Sequence, residues 1–319
     1  MTVGISLTNG KEAIVIADSR STASNGGRQS DSAEKLLHYQ GKNYHGFLLE
    51  TGSATYTEAT YAQVKGSSYD SLDHLVAAVK SIYGGIFDRN DQAYLESQKK
   101  EIEKKAALID KEEERTRYVA QEIERLMHMF GTRKSEPAYN SHFAAAGYDA
   151  NANRVRLFWI NENVVTELQM PYVLIGSGSD SAHLYFTAKL QGTKKETLTK
   201  EELYFYALNA HSFATLNAGV GGTPLIGITD AEKSRLVVPE RTIAAVNISG
   251  AYLAEGHDGL TGKRTKNYVA EVLEDRNPGY KAIAKELGLT IETLTTLVIP
   301  YSSWQERANR QLFPTKARN

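Results

Sequence analysis

Two short β-type runs, Val3-Gly4-Ile5-Ser6-Leu7 and Ala13-Ile14-Val15-Ile16-Ala17, flank a turn at Asn9-Gly10, and this pattern reads as a hairpin. A strand therefore begins almost at residue 1, and the fold grows from a sheet that takes in the first residues. A loop rich in Ser, Asn and Gly is predicted from Ser21 to Ser32, with further strands at Leu36 to Tyr39 and Gly46 to Glu50. Apolar residues then recur at helical spacing over Tyr56 to Lys65 and Leu72 to Tyr83, so helices should cover that strand array.

Between residues 96 and 125, 17 of 30 positions are charged, 9 acidic and 8 basic, and Leu95, Ile102 and Ile109 are spaced by sevens. That predicts a long solvated helix or a helical hairpin, with Val119, Ile123, Leu126 and Phe130 as its packing stripe. Such an insertion, about 90 to 135, either docks on its own domain or serves as an arm in assembly. Strand patterns return at 142–147, 155–161 and 164–169, the segment Pro171 to Ile175 then enters GSGSDSA, and helices are expected over 179–190 and from 200 to about 216. Strands at 224–229 and 235–238 complete the set, and the residues from about 251 onward read as helical. Blocks of strands and helices in this order suggest an α+β fold of packed sheets between helix layers.

The remaining composition removes whole classes of function. Lysine plus arginine total 37 against 38 acidic residues, a formal charge of -1 over 319 residues, which disfavours a nucleic-acid partner. The stretch Lys281 to Thr290 superficially resembles half of a helix-turn-helix, but residues 261–319 carry only 10 basic against 6 acidic residues. There is no cysteine, so thiol nucleophiles, disulfides and Cys-ligated metals are excluded. The glycines before Lys263 have the wrong spacing for a phosphate loop, Gly219 to Pro224 lacks a dinucleotide fingerprint, and no histidine pair has metal-ligand spacing. No cofactor and no metal are expected. With no secretory leader pattern and no membrane-spanning apolar run, a cytoplasmic location is the default expectation.

Thr2, Asp18, Arg20 and Lys35 lie on or beside consecutive early strands, which would gather them at one end of the sheet. If Met1 is removed, Thr2 presents a hydroxyl nucleophile and a free α-amine in one residue. A neighbouring Lys35 ammonium would disfavour a second positive charge on that amine and so free it as a base, with Asp18 holding Lys35.

The segment TVGISLTNGKEAIVIADSRSTA, followed by SAEKL, resembles the start of a mature proteasome β-type subunit, a bacterial or archaeal proteasome homologue among the N-terminal-nucleophile hydrolases. The resemblance covers roughly residues 2 to 250 outside the insertion. It implies a four-layer αββα sandwich, an N-terminal threonine peptidase acting through an acyl-enzyme on Thr2, and Asp18, Lys35 and Arg20 as partners of that threonine. It further implies Gly52 as the oxyanion glycine and Ser177, in GSGSDSA, as the serine beside the nucleophile. Glu50 and Ala54 would line the pocket for the residue before the cut bond, with Glu50 favouring a basic one. The family's aspartate and serine of a D-x-x-S-G-G pattern are replaced here by Asn217 and Val220, which bears on activity. Peptides or unfolded proteins are the implied substrates, and a homo-oligomer, as a ring, is the implied assembly; an ATPase partner is not legible. Two alternatives stay open: a connectase-like transpeptidase, and a non-catalytic scaffold like the α-type ring subunits. The organisation expected is a hydrolase domain over 1–250 with a helical extension over 251–319.

Overall fold

The computed structural model describes residues 2–19, 21–22, 29–30, 35–52, 54–134, 142–215, 220–255, 259–276 and 279–296. Strands β1 (Gly4–Thr8) and β2 (Ala13–Ala17) form the expected hairpin, Gly4 opposite Ala17 and Thr8 opposite Ala13. Its turn is built as the sequence suggests. Asn9 Oδ1 accepts from the backbone N–H groups of Lys11 and Glu12, and Gly10 takes φ +88°, a conformation that a Cβ would oppose.

Two five-stranded sheets are stacked. The first has the order β10 (Tyr172–Ile175), β1, β2, β11 (Leu225–Thr229), β12 (Ser234–Leu236). The second has the order β5 (Leu36–Gln40), β6 (Tyr44–Thr51), β7 (His142–Asp149), β8 (Arg154–Ile160), β9 (Val165–Glu167). A two-residue pair, β3 (Ser21–Thr22) with β4 (Gln29–Ser30), stands apart. All pairings are antiparallel among the described residues.

Strand alternation divides the core into three slabs. Val15, Ala17, Phe47, Leu49, Ala144, Ala146 and Ile175 meet between the sheets. Phe47 reaches across to β11, where a Cβ on Gly227 would stand 2.7 Å from its ring, so that glycine sets the sheet separation there. Helices α1 (Ala54–Lys65) and α2 (Leu72–Ala106) cover the outer face of the second sheet through Tyr61, Leu72, Val76, Val79 and Tyr83. The outer face of the first sheet, Val3, Ile5, Leu7, Ile14 and Ile16, is covered by α4 (Ser179–Leu190), α5 (Lys200–Ala214) and α6 (Pro239–Glu255). The result is a four-layer αββα sandwich.

The charged segment is a helical hairpin. α2 starts at a Ser71 cap, whose Oγ accepts from His74 N–H, and runs on well past its sheet-covering half to Ala106. α3 (Glu112–Lys134) folds back along it, burying Leu126 and Phe130 against the stretch that carries Tyr94, Ile102 and Ala106. Val119 and Ile123 of the expected stripe are half-buried. Arg156 pins α2 to the second sheet, donating to Asp73 on the helix and to Asp149 and Glu167 on the strands.

Residue 250 falls inside α6, which the sequence reading had not placed before 251. α7 (Gly259–Glu274), α8 (Tyr280–Glu286) and α9 (Ile291–Thr296) contribute Val269, Leu273, Ile283 and Leu294 to the same core as β1 and β2. Asn247 on α6 ties α9 down by donating to the Thr293 and Leu294 carbonyls. No helix among the described residues is long and apolar enough to cross a membrane.

His211 on α5 is 3% exposed, and burial pushes its imidazole down to about 4. The unfolded chain binds a proton at the ordinary value of about 6.5 while the folded chain refuses it, so stability is lost as pH falls through that window. Between pH 7.5 and 4.5 the loss amounts to about 2–3 kcal/mol. In urea titrations wild type should lose that amount of stability relative to His211→Leu on acidification. A pH-independent difference between the two would show that His211 titrates normally.

Candidate active site

The end of the sandwich where β1 begins and β2 finishes gathers four of the residues singled out from the sequence. Thr2 precedes β1 and Asp18 follows β2, so the hairpin register sets them side by side. Val3 N–H donates to Asp18 Oδ1 at 3.0 Å, and Asp18 N–H donates to the Val3 carbonyl at 3.2 Å. Lys35 enters from the other sheet. Its Nζ lies 2.8 Å from Thr2 Oγ1 and 3.0 Å from Asp18 Oδ1, so one ammonium bridges hydroxyl and carboxylate. Ser177 Oγ accepts from Thr2 N at 3.1 Å; this nitrogen becomes the α-amine once Met1 is removed.

The pair beneath the hydroxyl is dry. Asp18 is fully buried and Lys35 is 6% exposed, whereas Thr2 is half-buried and Ser177 exposed. Burial pushes the Asp18 carboxyl above the usual carboxylate range; the Lys35 charge and the hydrogen bonds from Val3, Lys35 and Gly221 pull it back only in part. Lys35 is held by its own backbone as well, since its carbonyl accepts from Glu50 N–H and from the Tyr61 hydroxyl.

Other expected residues lie around this cluster. Gly52 follows β6 at φ +115° and is exposed. Glu50 is buried on β6, on the same face as Leu48, which packs beneath α1. Ala54 is the first residue of α1. Arg20 and Asn217 lie outside the described residues. Val220 is buried, and the next residue compensates in part for the replaced polar side chains, because Gly221 N–H donates to Asp18 Oδ2 at 3.3 Å. Among the described residues no group of three His, Asp or Glu side chains could hold a metal ion.

The sequence reading missed Gly176. It has φ +90°, and a Cβ there would sit 2.3 Å from the Thr2 carbonyl oxygen and 3.1 Å from Thr51 Cγ2. Only glycine lets the chain turn this tightly under Thr2 after β10, and it permits Gly178 N–H to donate to the Thr2 carbonyl at 3.2 Å. Gly176→Ala should therefore displace Thr2 and lower stability by about 2–4 kcal/mol. A urea melt checks this, and wild-type stability would show that the loop yields without strain.

No family model matches the chain, and no curated protein matches it. Similar solved structures include Anbu, described as an ancestral β-subunit, from Yersinia bercovieri, at 13% identity over 73% of this chain and 86% of that one, with a TM-score of 0.48. A Gly-1 mutant of Anbu from Hyphomicrobium sp. strain MC1 is similar at 14% identity over 74% of this chain and 87% of that one, TM-score 0.45. The resemblance to bacterial or archaeal proteasome β-type subunits is corrected by these findings. The similar structures are Anbu proteins, proteasome-like but a distinct family, and the identity is low.

Proposed function

We propose that this chain, with Met1 removed, is an N-terminal threonine hydrolase that cleaves peptide bonds in peptides or unfolded proteins. The observation that supports it most is the position of Lys35 Nζ, 2.8 Å from Thr2 Oγ1 and 3.0 Å from Asp18 Oδ1. A hydroxyl that accepts from a buried ammonium has its developing negative charge stabilised before substrate arrives.

In this reading the Thr2 hydroxyl attacks the substrate carbonyl and passes its proton to the Thr2 α-amine. Ser177, accepting from that nitrogen, fixes the direction of its lone pair. The Gly52 N–H stabilises the oxyanion, the protonated amine returns its proton to the leaving amine, and water then releases the acyl group from Oγ1. Asp18 holds Lys35 in place and balances its charge. Glu50 selects a basic side chain before the cut bond. Homo-oligomeric assembly belongs to the same proposal, with the native mass of the particle as its check.

A panel of fluorogenic peptides tests the reading. Turnover should be highest after Arg or Lys, and Glu50→Gln should raise KM for those peptides about fivefold while leaving kcat within about twofold. Preferential cleavage after acidic residues would remove Glu50 from the pocket. No turnover of any peptide by processed protein would count against peptide hydrolysis itself.

A further inference from the structure

A cavity of about 330 Å³ opens on the edge of the sandwich where the outermost strands of the two sheets, β9 and β10, lie beside the start of α4. Its walls include Trp159, Leu168, Met170 and Tyr172, with Asp180 and His183 on the α4 side. Both aromatic walls are backed by another ring. The His142 imidazole stacks on Trp159 at 5.3 Å, and Phe186 lies 4.7 Å from Tyr172. The Tyr172 hydroxyl is further fixed by His183 Nδ1, 3.2 Å away. Rings held this way add little ordering cost on binding.

Among the described residues that line the cavity there is one carboxylate, Asp180, and no lysine or arginine. The amino end of α4 contributes only about half a positive charge, which the full charge of Asp180 outweighs. Two aromatic walls, apolar Leu168, Met170 and Leu174 and an exposed carboxylate are the chemistry that accepts an apolar or aromatic group bearing a positive charge. Position links the cavity to the nucleophile. Leu174 lines it, and Ser177, which contacts Thr2, follows three residues later, a reach of about 10 Å of extended chain.

We infer that this cavity is a second substrate subsite, separate from the Glu50 pocket, that takes a cationic aromatic or apolar side chain about three residues from the cut bond. The assignment to substrate rests on the peptidase reading, whereas binding of the cation does not.

The test uses the full chain carrying Trp304→Phe, which leaves Trp159 as the remaining one of the two tryptophans. Phenethylamine is titrated against Trp159 fluorescence, with 3-phenylpropionate and butylamine as probes lacking the positive charge and the ring. Saturable binding of phenethylamine is expected. It should weaken about fivefold in Asp180→Asn and vanish in Met170→Arg, whose guanidinium would occupy the cavity; Asp180 and Met170 are both exposed, so neither change threatens the fold. No saturable signal, equal binding of 3-phenylpropionate, or unchanged affinity in Asp180→Asn would overturn the site. A second arm compares peptides with homoarginine or alanine three positions from the cut bond, on either side. Asp180→Asn should raise KM for the homoarginine peptide with kcat unchanged. Phenethylamine binding without that KM effect would overturn the substrate assignment. Binding by a protein that turns over no peptide would leave the cation site standing and remove the peptidase reading instead.

Discussion

Thr2→Ala should reduce peptide hydrolysis by about 10⁴-fold or more, to the background of the assay, with little change in the melting temperature. The substitution removes the hydroxyl that Lys35 contacts and leaves the backbone hydrogen bonds of residue 2 to Ser177 and Gly178 available. Thr2→Ser separates the chemistry from packing. It keeps Oγ and the α-amine, so it should retain measurable turnover at reduced kcat. If Thr2→Ala hydrolyses peptides as fast as wild type, the nucleophile lies elsewhere in the chain.

Lys35→Met should cost both activity and fold. The Asp18 carboxylate is fully buried, and Lys35 is the ammonium that faces it at 3.0 Å. Removing one partner of a buried ion pair leaves an uncompensated charge, a loss of about 3–5 kcal/mol. The Val3 and Gly221 N–H groups still donate to Asp18, which places the expected cost toward the lower end of that range. In the proposed mechanism turnover should fall on the order of 10³-fold, since the same ammonium lies 2.8 Å from Thr2 Oγ1, where negative charge would develop.

The pH dependence of that defect has a definite sign. Burial already raises the Asp18 carboxyl above its ordinary value, and loss of Lys35 raises it further. A carboxyl whose folded value exceeds its unfolded one binds a proton preferentially in the folded state. The variant is therefore least impaired below about pH 4, the ordinary carboxylate range, and its deficit relative to wild type grows as pH rises above it. Urea melts of both proteins at pH 4.5 and pH 7.5 read this directly. A deficit that shrinks with rising pH would mean that Asp18 is not the group left uncompensated.

Much of the candidate site was legible because its spacing follows from hairpin geometry. Asn9-Gly10 fixes the β1–β2 register, and that register sets Thr2 beside Asp18. Lys35 follows because β5 pairs with β6, whose end lies at the same edge, so a long side chain one residue before β5 reaches across to the first sheet. The helix over Ser179–Leu190 and the layered architecture were legible for a similar reason, since apolar period and turn residues agree locally.

What escaped the sequence depends on contacts between distant segments. Gly176 reads as one more glycine in a Gly-Ser stretch until the Thr2 carbonyl is seen where its Cβ would be. Gly221 acts through a backbone N–H, which no side-chain pattern records. α6 was missed ahead of residue 251 because Val246, Ile248 and Ala251 bury themselves among α5, α7 and α9, so its apolar positions do not form one clean stripe. Trp159, Tyr172 and Asp180 come from β8, β10 and α4, and the cavity exists only where those three elements meet.

The account depends on Thr2 carrying an active hydroxyl and a free amine together. Intact mass of the purified protein, taken before and after incubation with a peptide epoxyketone, tests both at once, because that group reacts with the hydroxyl and the α-amine of a terminal threonine. The expected result is a chain lacking Met1 that gains one adduct, mapped to Thr2, while Thr2→Ala gains none. A chain that keeps Met1 and stays unmodified, or equal labelling of both proteins, would contradict it.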